Sequence, residues 1–161
     1  MPPIATSGPP GFSRRTLLAA SAMGLALLSA GCTASPAAED EEVTSAQADE
    51  LAAQVAVQEA LVAAFAAAGT ADPALASAVT ELAGQASAQL EALRAAAPGV
   101  SSSPAPSVAP PDGPGAQAWL RAQVSAASTS HAAACLEQSG ARAALLGSIA
   151  AGLRGQDGRL A

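Results

Sequence analysis

The sequence predicts an all-α protein, an alanine-rich antiparallel four-helix bundle. Half of the 161 residues are hydrophobic, but only 2% are aromatic. The apolar content is therefore mostly alanine, which favours helix strongly and buries little surface. Apolar residues recur at spacings of three and four residues in several stretches, as on one face of a helix. Glycine, proline and capping residues separate these stretches, which predicts short connections and one long one.

The first segment, residues 1–31, has the pattern of an export signal. Arg14 and Arg15 precede an uncharged run at residues 16–31, and two small residues come directly before Cys32. The run is shorter than the ~20 apolar residues that a stable transmembrane helix needs. The segment resembles the twin-arginine signal of a bacterial lipoprotein, so we expect it to be removed rather than kept as a membrane helix.

This resemblance implies a lipid anchor on Cys32. Cys32 would become the mature N-terminus and carry a diacylglyceryl thioether, whose two acyl chains hold a protein lastingly on the membrane. The implied location is the extracytoplasmic face of the cell membrane. The alternative is that Cys32 is an ordinary residue of an uncleaved or differently cleaved signal.

An acidic tether is expected at residues 32–43. Four consecutive acidic residues lie at positions 39–42, where negative charge also favours the start of a following helix.

Without residues 1–31 the chain has thirteen acidic residues and five arginines, a net charge of −8. This charge argues against nucleic acid and anionic lipid headgroups as partners.

Residues 44–97 predict a helical hairpin. Thr44 and Gln47 have the form of a capping box, and Gly69 is expected to end the first helix. Asp72 and Pro73 fit the N-cap and first position of the second helix. The apolar stripe predicted for the first helix is Leu51, Val55, Val62 and Phe65, interrupted by Gln58 and flanked by Leu61. The stripe predicted for the second helix is Leu75, Val79, Leu82, Ala86, Leu90 and Leu93.

Residues 98–114 are rich in proline, serine and glycine and predict a linker. Seventeen residues reach ~56 Å when extended, which exceeds the ~38 Å of a 25-residue helix. The linker is therefore long enough to return along the whole bundle.

Residues 115–154 predict a second helical pair, followed by a turn or frayed tail at residues 155–161. The third helix is expected to run from Gly115 to about Gln138, and the fourth from Arg142 to Arg154. The apolar face of the third helix is Leu120, Val124, Ala127, His131 and Cys135, with Trp119 beside it. That of the fourth helix is Leu145, Leu146, Ile149 and Leu153.

Two helices, a long connection and two further helices follow one another in the order of ferritin-like bundles. The segment from His131 to Gly152 also looks like the closing helices of uncharacterised ferritin-like lipoproteins from high-GC Gram-positive bacteria. A working di-iron site would need inward carboxylates and two Glu-x-x-His pairs. The chain has one histidine, and Ser128 stands three residues before it, so we expect no such centre.

His131 and Cys135 are the weak candidates for metal binding. Their spacing places them on the same side of a helix, but two ligands are fewer than the three or four that zinc takes. As a thiol dyad they would lack an orienting group and oxyanion donors. The simpler interpretation of Cys135 is a small apolar residue within a helix. We therefore expect no catalytic residue, no bound metal and no cofactor.

The leading hypothesis is a membrane-anchored, non-catalytic helical bundle that acts through contacts with a protein partner. One alternative is a ferritin-like domain that binds a metal or a small cofactor through His131 and carboxylates. Another is a largely disordered domain that serves as a spacer.

Overall fold

The computed structural model describes residues 43–97, 99, 109–111 and 113–161. Over these residues it contains four α-helices and no strand, which confirms the prediction of an all-α helical bundle. The helices are α1 (Ser45–Ala71), α2 (Pro73–Ala96), α3 (Gly115–Cys135) and α4 (Gly140–Arg159). Four helices over residues 45–159 contradict the alternative of a largely disordered domain. The predicted export signal with Arg14 and Arg15, the tether from Cys32 to residue 42, and eleven of the seventeen linker residues lie outside the described residues.

The helices pack against one another in an antiparallel manner. α1 and α2 are joined through Asp72 alone, and α3 and α4 through a turn at residues 136–139. α3 runs antiparallel to α1, because His131 contacts Gln58 while Gln138, beyond the end of α3, contacts Gln47 in the first turn of α1. α1 and α4 therefore point one way and α2 and α3 the other. The chain from residue 97 to residue 113 must connect opposite ends of the bundle.

Capping side chains fix the starts of α1 and α2. The backbone N–H of Gln47 donates to the hydroxyl of Thr44 at 3.2 Å, and the N–H of Thr44 donates to the Gln47 side chain at 3.1 Å. This is the predicted capping box. Asp72 accepts hydrogen bonds from the N–H groups of Ala74 and Leu75, and Pro73 takes the first helical position, as predicted.

Gly69 does not end α1, and that part of the prediction was wrong. The helix continues through Gly69 to Ala71. A Cβ at Gly69 would lie 3.0 Å from the Cβ of Ala76. The absence of a side chain at Gly69 therefore allows α1 to pack closely on the first turns of α2, and the glycine serves helix packing instead of helix termination.

The ends of α3 and α4 also differ from the predictions. α3 ends at Cys135 rather than Gln138, and α4 starts at Gly140 rather than Arg142. α4 continues to Arg159, so the segment predicted as a tail from residue 155 is helical. Packing explains the extension, because Gln156 and Leu160 are buried and their burial outweighs the low helix propensity of the nearby glycines.

The core lies between the four helices and is built from small and branched apolar residues. All six residues predicted for the α2 stripe are buried. In α1 the prediction was partly wrong, since Leu61 is buried and Val62 only half-buried. The reason is that α1 packs on both α2 and α3, which makes its buried face wide. Likewise Cys135 and Leu145 are half-buried at the edges of the core.

Among the described residues, α1 is the one helix long and apolar enough to cross a membrane. Its most apolar window has a mean hydropathy of 1.6, to which alanine contributes, and 44% of that window is buried inside the bundle. A core helix of a helical bundle has the same length and composition.

Candidate functional site

The centre of the bundle holds a small set of neutral polar side chains. Of the predicted site residues, His131 lies within this set, whereas Cys135 lies at the edge of the core. The fully buried members are Gln58 and His131, each with no exposed surface. They come from α1 and α3, which lie on opposite sides of the long linker in the sequence.

His131 is held by Gln58. The Nε2 atom of His131 lies 2.9 Å from the Oε1 atom of Gln58. The amide nitrogen of Gln58 donates to the carbonyl oxygen of Ala86 at 2.9 Å and to Oε1 of Gln89 at 3.2 Å. Both of these partners are acceptors, so the orientation of the Gln58 amide is fixed. A hydrogen-bonded chain therefore joins α3, α1 and α2 through the middle of the bundle.

This arrangement determines the protonation of the imidazole. Because Oε1 of Gln58 can only accept a hydrogen bond, Nε2 of His131 carries the proton and donates. Burial lowers the pKa of His131 from 6.5 to about 4, since the charged form loses its hydration. The ring is therefore neutral at pH 7, and its Nδ1 atom is an unprotonated acceptor.

Nδ1 of His131 has no hydrogen-bond partner within the described part of the chain. Two further buried acceptors, Oε1 of Gln138 and Oε1 of Gln156, share this property. A buried polar atom without a partner reduces stability. Among the three, Nδ1 is the one that belongs to an imidazole.

Cys135 does not act together with His131. Its Sγ atom donates to the carbonyl oxygen of Ala143 at 3.2 Å and lies beside Gly147, where an added Cβ would be 3.4 Å away. The thiol thus faces α4, while Nε2 of His131 faces α1. The i, i+4 spacing places both residues on one side of α3, but their polar atoms are directed to different helices.

The described residues contain no group of three or more His, Cys, Asp and Glu side chains that could hold a metal ion. Two acidic residues of the hairpin are instead paired with an arginine of another helix at the bundle surface. Glu59 lies 2.9 Å from Arg94, and Glu81 lies 3.2 Å from Arg159. These two contacts join α1 to α2 and α2 to α4. Glu59 is the more buried of the two carboxylates, with 13% of its side chain exposed beside Arg94.

Several buried polar residues were not predicted. Gln58 interrupts the apolar stripe predicted for α1, and that stripe does not predict its contact with His131. Gln54 accepts a hydrogen bond from Ser130 and donates to Glu50, and Ser128 donates to the carbonyl oxygen of Ala150. Gln138 and Gln156 are also buried. The signal available in the sequence was the recurrence of glutamine and serine at core-facing helical positions.

No protein-family model, curated protein or solved structure matches the chain. The fold and the site together define a four-helix bundle whose centre is crossed by an imidazole–amide hydrogen-bonded chain.

Proposed function

We propose that the protein is a lipoprotein anchored through Cys32 to the extracytoplasmic face of the cell membrane. Its bundle acts through contacts with a protein partner and performs no catalysis. The sequence supports the anchor, since twin arginines, an uncharged run and small residues before a cysteine occur in that order.

The observation that carries the non-catalytic part is the contact between His131 and Gln58. It directs Nε2, one of the two nitrogens with which the imidazole could bind or transfer a proton, into the packing of the bundle. Gln58 in turn is bound to Gln89 and Ala86, so the chain joins three helices. Such a network specifies how helices pair, which is a structural role.

Mass spectrometry of the full chain purified from its native membrane tests the anchor. We expect a chain that begins at Cys32 and carries a diacylglyceryl group. The Cys32→Ser variant should lack the lipid and be released from the membrane fraction. An unmodified Cys32 in membrane-derived protein would contradict the anchor.

Crosslinking of the lipidated protein in intact cells tests the contact function. We expect one dominant adduct with another protein, weakened in the Cys32→Ser variant because that chain leaves the membrane surface. A protein that crosslinks to nothing at the membrane, or one that turns over a substrate, would contradict the proposal.

A second candidate function is a ferritin-like domain that binds a metal or small cofactor. The specific observation that favours it is the unpartnered Nδ1 atom of His131 at the centre of the bundle, together with helix directions and a long connection like those of ferritin-like bundles. Metal and absorbance analysis of protein from native membrane separates the candidates. Stoichiometric iron, zinc or haem that is lost in His131→Ala would favour this function over the first.

A further inference from the structure

The described residues have two exposed large hydrophobic side chains, and both lie at the same end of the bundle. Leu136 is 82% exposed in the turn after α3, and Val43 is 39% exposed just before α1. A hydrogen bond of 2.9 Å from the Gln138 side chain to the carbonyl oxygen of Gln47 holds the turn against the first turn of α1. We call this region, with Val43, Leu136 and the Gln47–Gln138 contact, the Leu136 end.

The chain that leads to Cys32 also leaves the bundle at the Leu136 end. Ten residues, 33–42, separate Cys32 from Val43, so the eleven Cα–Cα steps between them span at most ~40 Å. The 27 residues of α1 extend for ~40 Å. A bundle anchored through Cys32 can therefore place its Leu136 end on the bilayer with the connecting chain well short of its full length, whereas an upright bundle places its opposite end there only with that chain fully extended.

We propose that the Leu136 end lies on the lipid bilayer, with the side chain of Leu136 inserted at the interface and the helices standing away from the membrane. This inference rests on the proposed lipid anchor. A single leucine contributes too little to hold a free protein on a surface or on another protein. Tethering changes this, because a short linker raises the effective concentration of Leu136 at the bilayer to the millimolar range.

The charge of this region indicates which lipid surface it fits. Glu137 is exposed beside Leu136, and Asp49 is exposed in the second turn of α1. The acidic residues 39–42 lie in the connecting chain. These negative charges repel anionic headgroups. A surface of zwitterionic lipids therefore fits the Leu136 end better than an anionic one.

Fluorescence quenching in vesicles tests the orientation. The full lipidated chain is placed in phosphatidylcholine vesicles whose acyl chains carry bromine. Trp119, the one tryptophan of the chain, lies near the start of α3 at the opposite end and is the matched control. The reporter is Leu136→Trp in a Trp119→Phe background. We expect the reporter to lose roughly half of its fluorescence and shift to the blue, as interfacial tryptophan does, and Trp119 to be unaffected.

Backbone amide hydrogen exchange in the protein with Leu136 unaltered provides a second measurement, because tryptophan itself prefers interfaces. In the lipidated protein, vesicles should slow amide exchange at residues 134–140 relative to detergent, and Leu136→Ser should remove this slowing. Adding anionic lipid to the vesicles should reduce both the quenching of the tryptophan reporter and the slowing of amide exchange.

The outcomes distinguish this inference from the proposed function. Lipidated protein that remains on vesicles with an unquenched reporter would overturn the inference and leave the anchor intact. Equal quenching of Trp119 would also overturn it, because the bundle would then lie flat. Slowed exchange at residues 134–140 that requires a second protein would assign the Leu136 end to a protein partner instead. A chain without lipid on Cys32 would overturn the proposed anchor itself.

Discussion

His131 on α3 and Gln58 on α1 form a buried hydrogen bond of 2.9 Å between residues 73 positions apart in the chain. Neither side chain has exposed surface. The bond satisfies the Nε2 proton of His131 and leaves the Gln58 amide nitrogen to bind α2. One amide group thus links three helices through the centre of the bundle.

The first prediction concerns this amide. Gln58→Leu keeps the approximate volume but leaves the Nε2–H group of His131 buried without an acceptor. Such a group costs about 1–3 kcal/mol of unfolding free energy, measured by urea denaturation. Gln123→Leu, at a half-buried glutamine on α3, is the matched control and should change stability by less than about 0.5 kcal/mol.

A double variant separates loss of the bond from loss of packing. Gln58→Leu combined with His131→Leu removes both partners, so we expect it to be less destabilised than the sum of the single variants. Simple additivity of the two effects would show that the bond does not matter for stability.

The second prediction concerns pH. Burial lowers the folded-state pKa of His131 to about 4, from 6.5 in the unfolded chain. Between these values the unfolded chain binds more protons, so acidification destabilises the fold. The loss should begin as pH falls through about 6.5 and reach on the order of 2 kcal/mol at about pH 5.

Urea unfolding at about pH 7.5 and pH 5 measures this dependence. His131→Gln is the control, since it retains a side-chain amide but does not titrate, and acidic residues affect both proteins equally. The difference between the two proteins should widen with acidification in favour of the variant. An unchanged difference across this range would mean that His131 titrates normally in the fold.

The periodicity of the sequence predicts which residues of α2 are buried, but it does not predict the hydrogen-bond partner of His131. All six stripe residues of α2 were predictable, because each is apolar and their spacing follows one helix face. The same periodicity placed His131 on the inner face of α3. Its partner was not predictable, because that contact depends on the relative position of α1 and α3, which periodicity within either helix does not determine.

Gly69 illustrates a different limit. Glycine near the end of an apolar helical stretch predicts a C-terminal stop, and here it was misleading. Its role depends on Ala76 of the neighbouring helix, which no local pattern includes. The buried glutamines were missed for a similar reason, since a polar residue on a core face is recognised only when its partner is known.

The third prediction follows from this close approach. Alanine in place of helical glycine normally stabilises by about 0.5–1 kcal/mol. At Gly69 the added Cβ would lie 3.0 Å from the Cβ of Ala76, whereas at Gly84 it would meet nothing within 4 Å. Thermal unfolding should therefore show that Gly84→Ala raises the melting temperature and Gly69→Ala does not. Equal gains at both positions would mean that α1 and α2 are not in close contact at Gly69.

The last prediction concerns Asp72, which alone separates α1 from α2. Its carboxylate accepts hydrogen bonds of 3.0 Å and 3.2 Å from the N–H groups of Ala74 and Leu75. Asp72→Ala removes this N-cap and should lower the unfolding free energy by about 1 kcal/mol. Asp72→Asn keeps the accepting oxygen but loses the charge that favours a helix N-terminus, so it should retain most of the stability.

Thr80→Ala is the control within α2, because the Thr80 hydroxyl bonds only to backbone carbonyl groups of its own helix. If Asp72→Ala proved as stable as Thr80→Ala, the hairpin would be held by side-chain packing alone and the cap would contribute nothing to it.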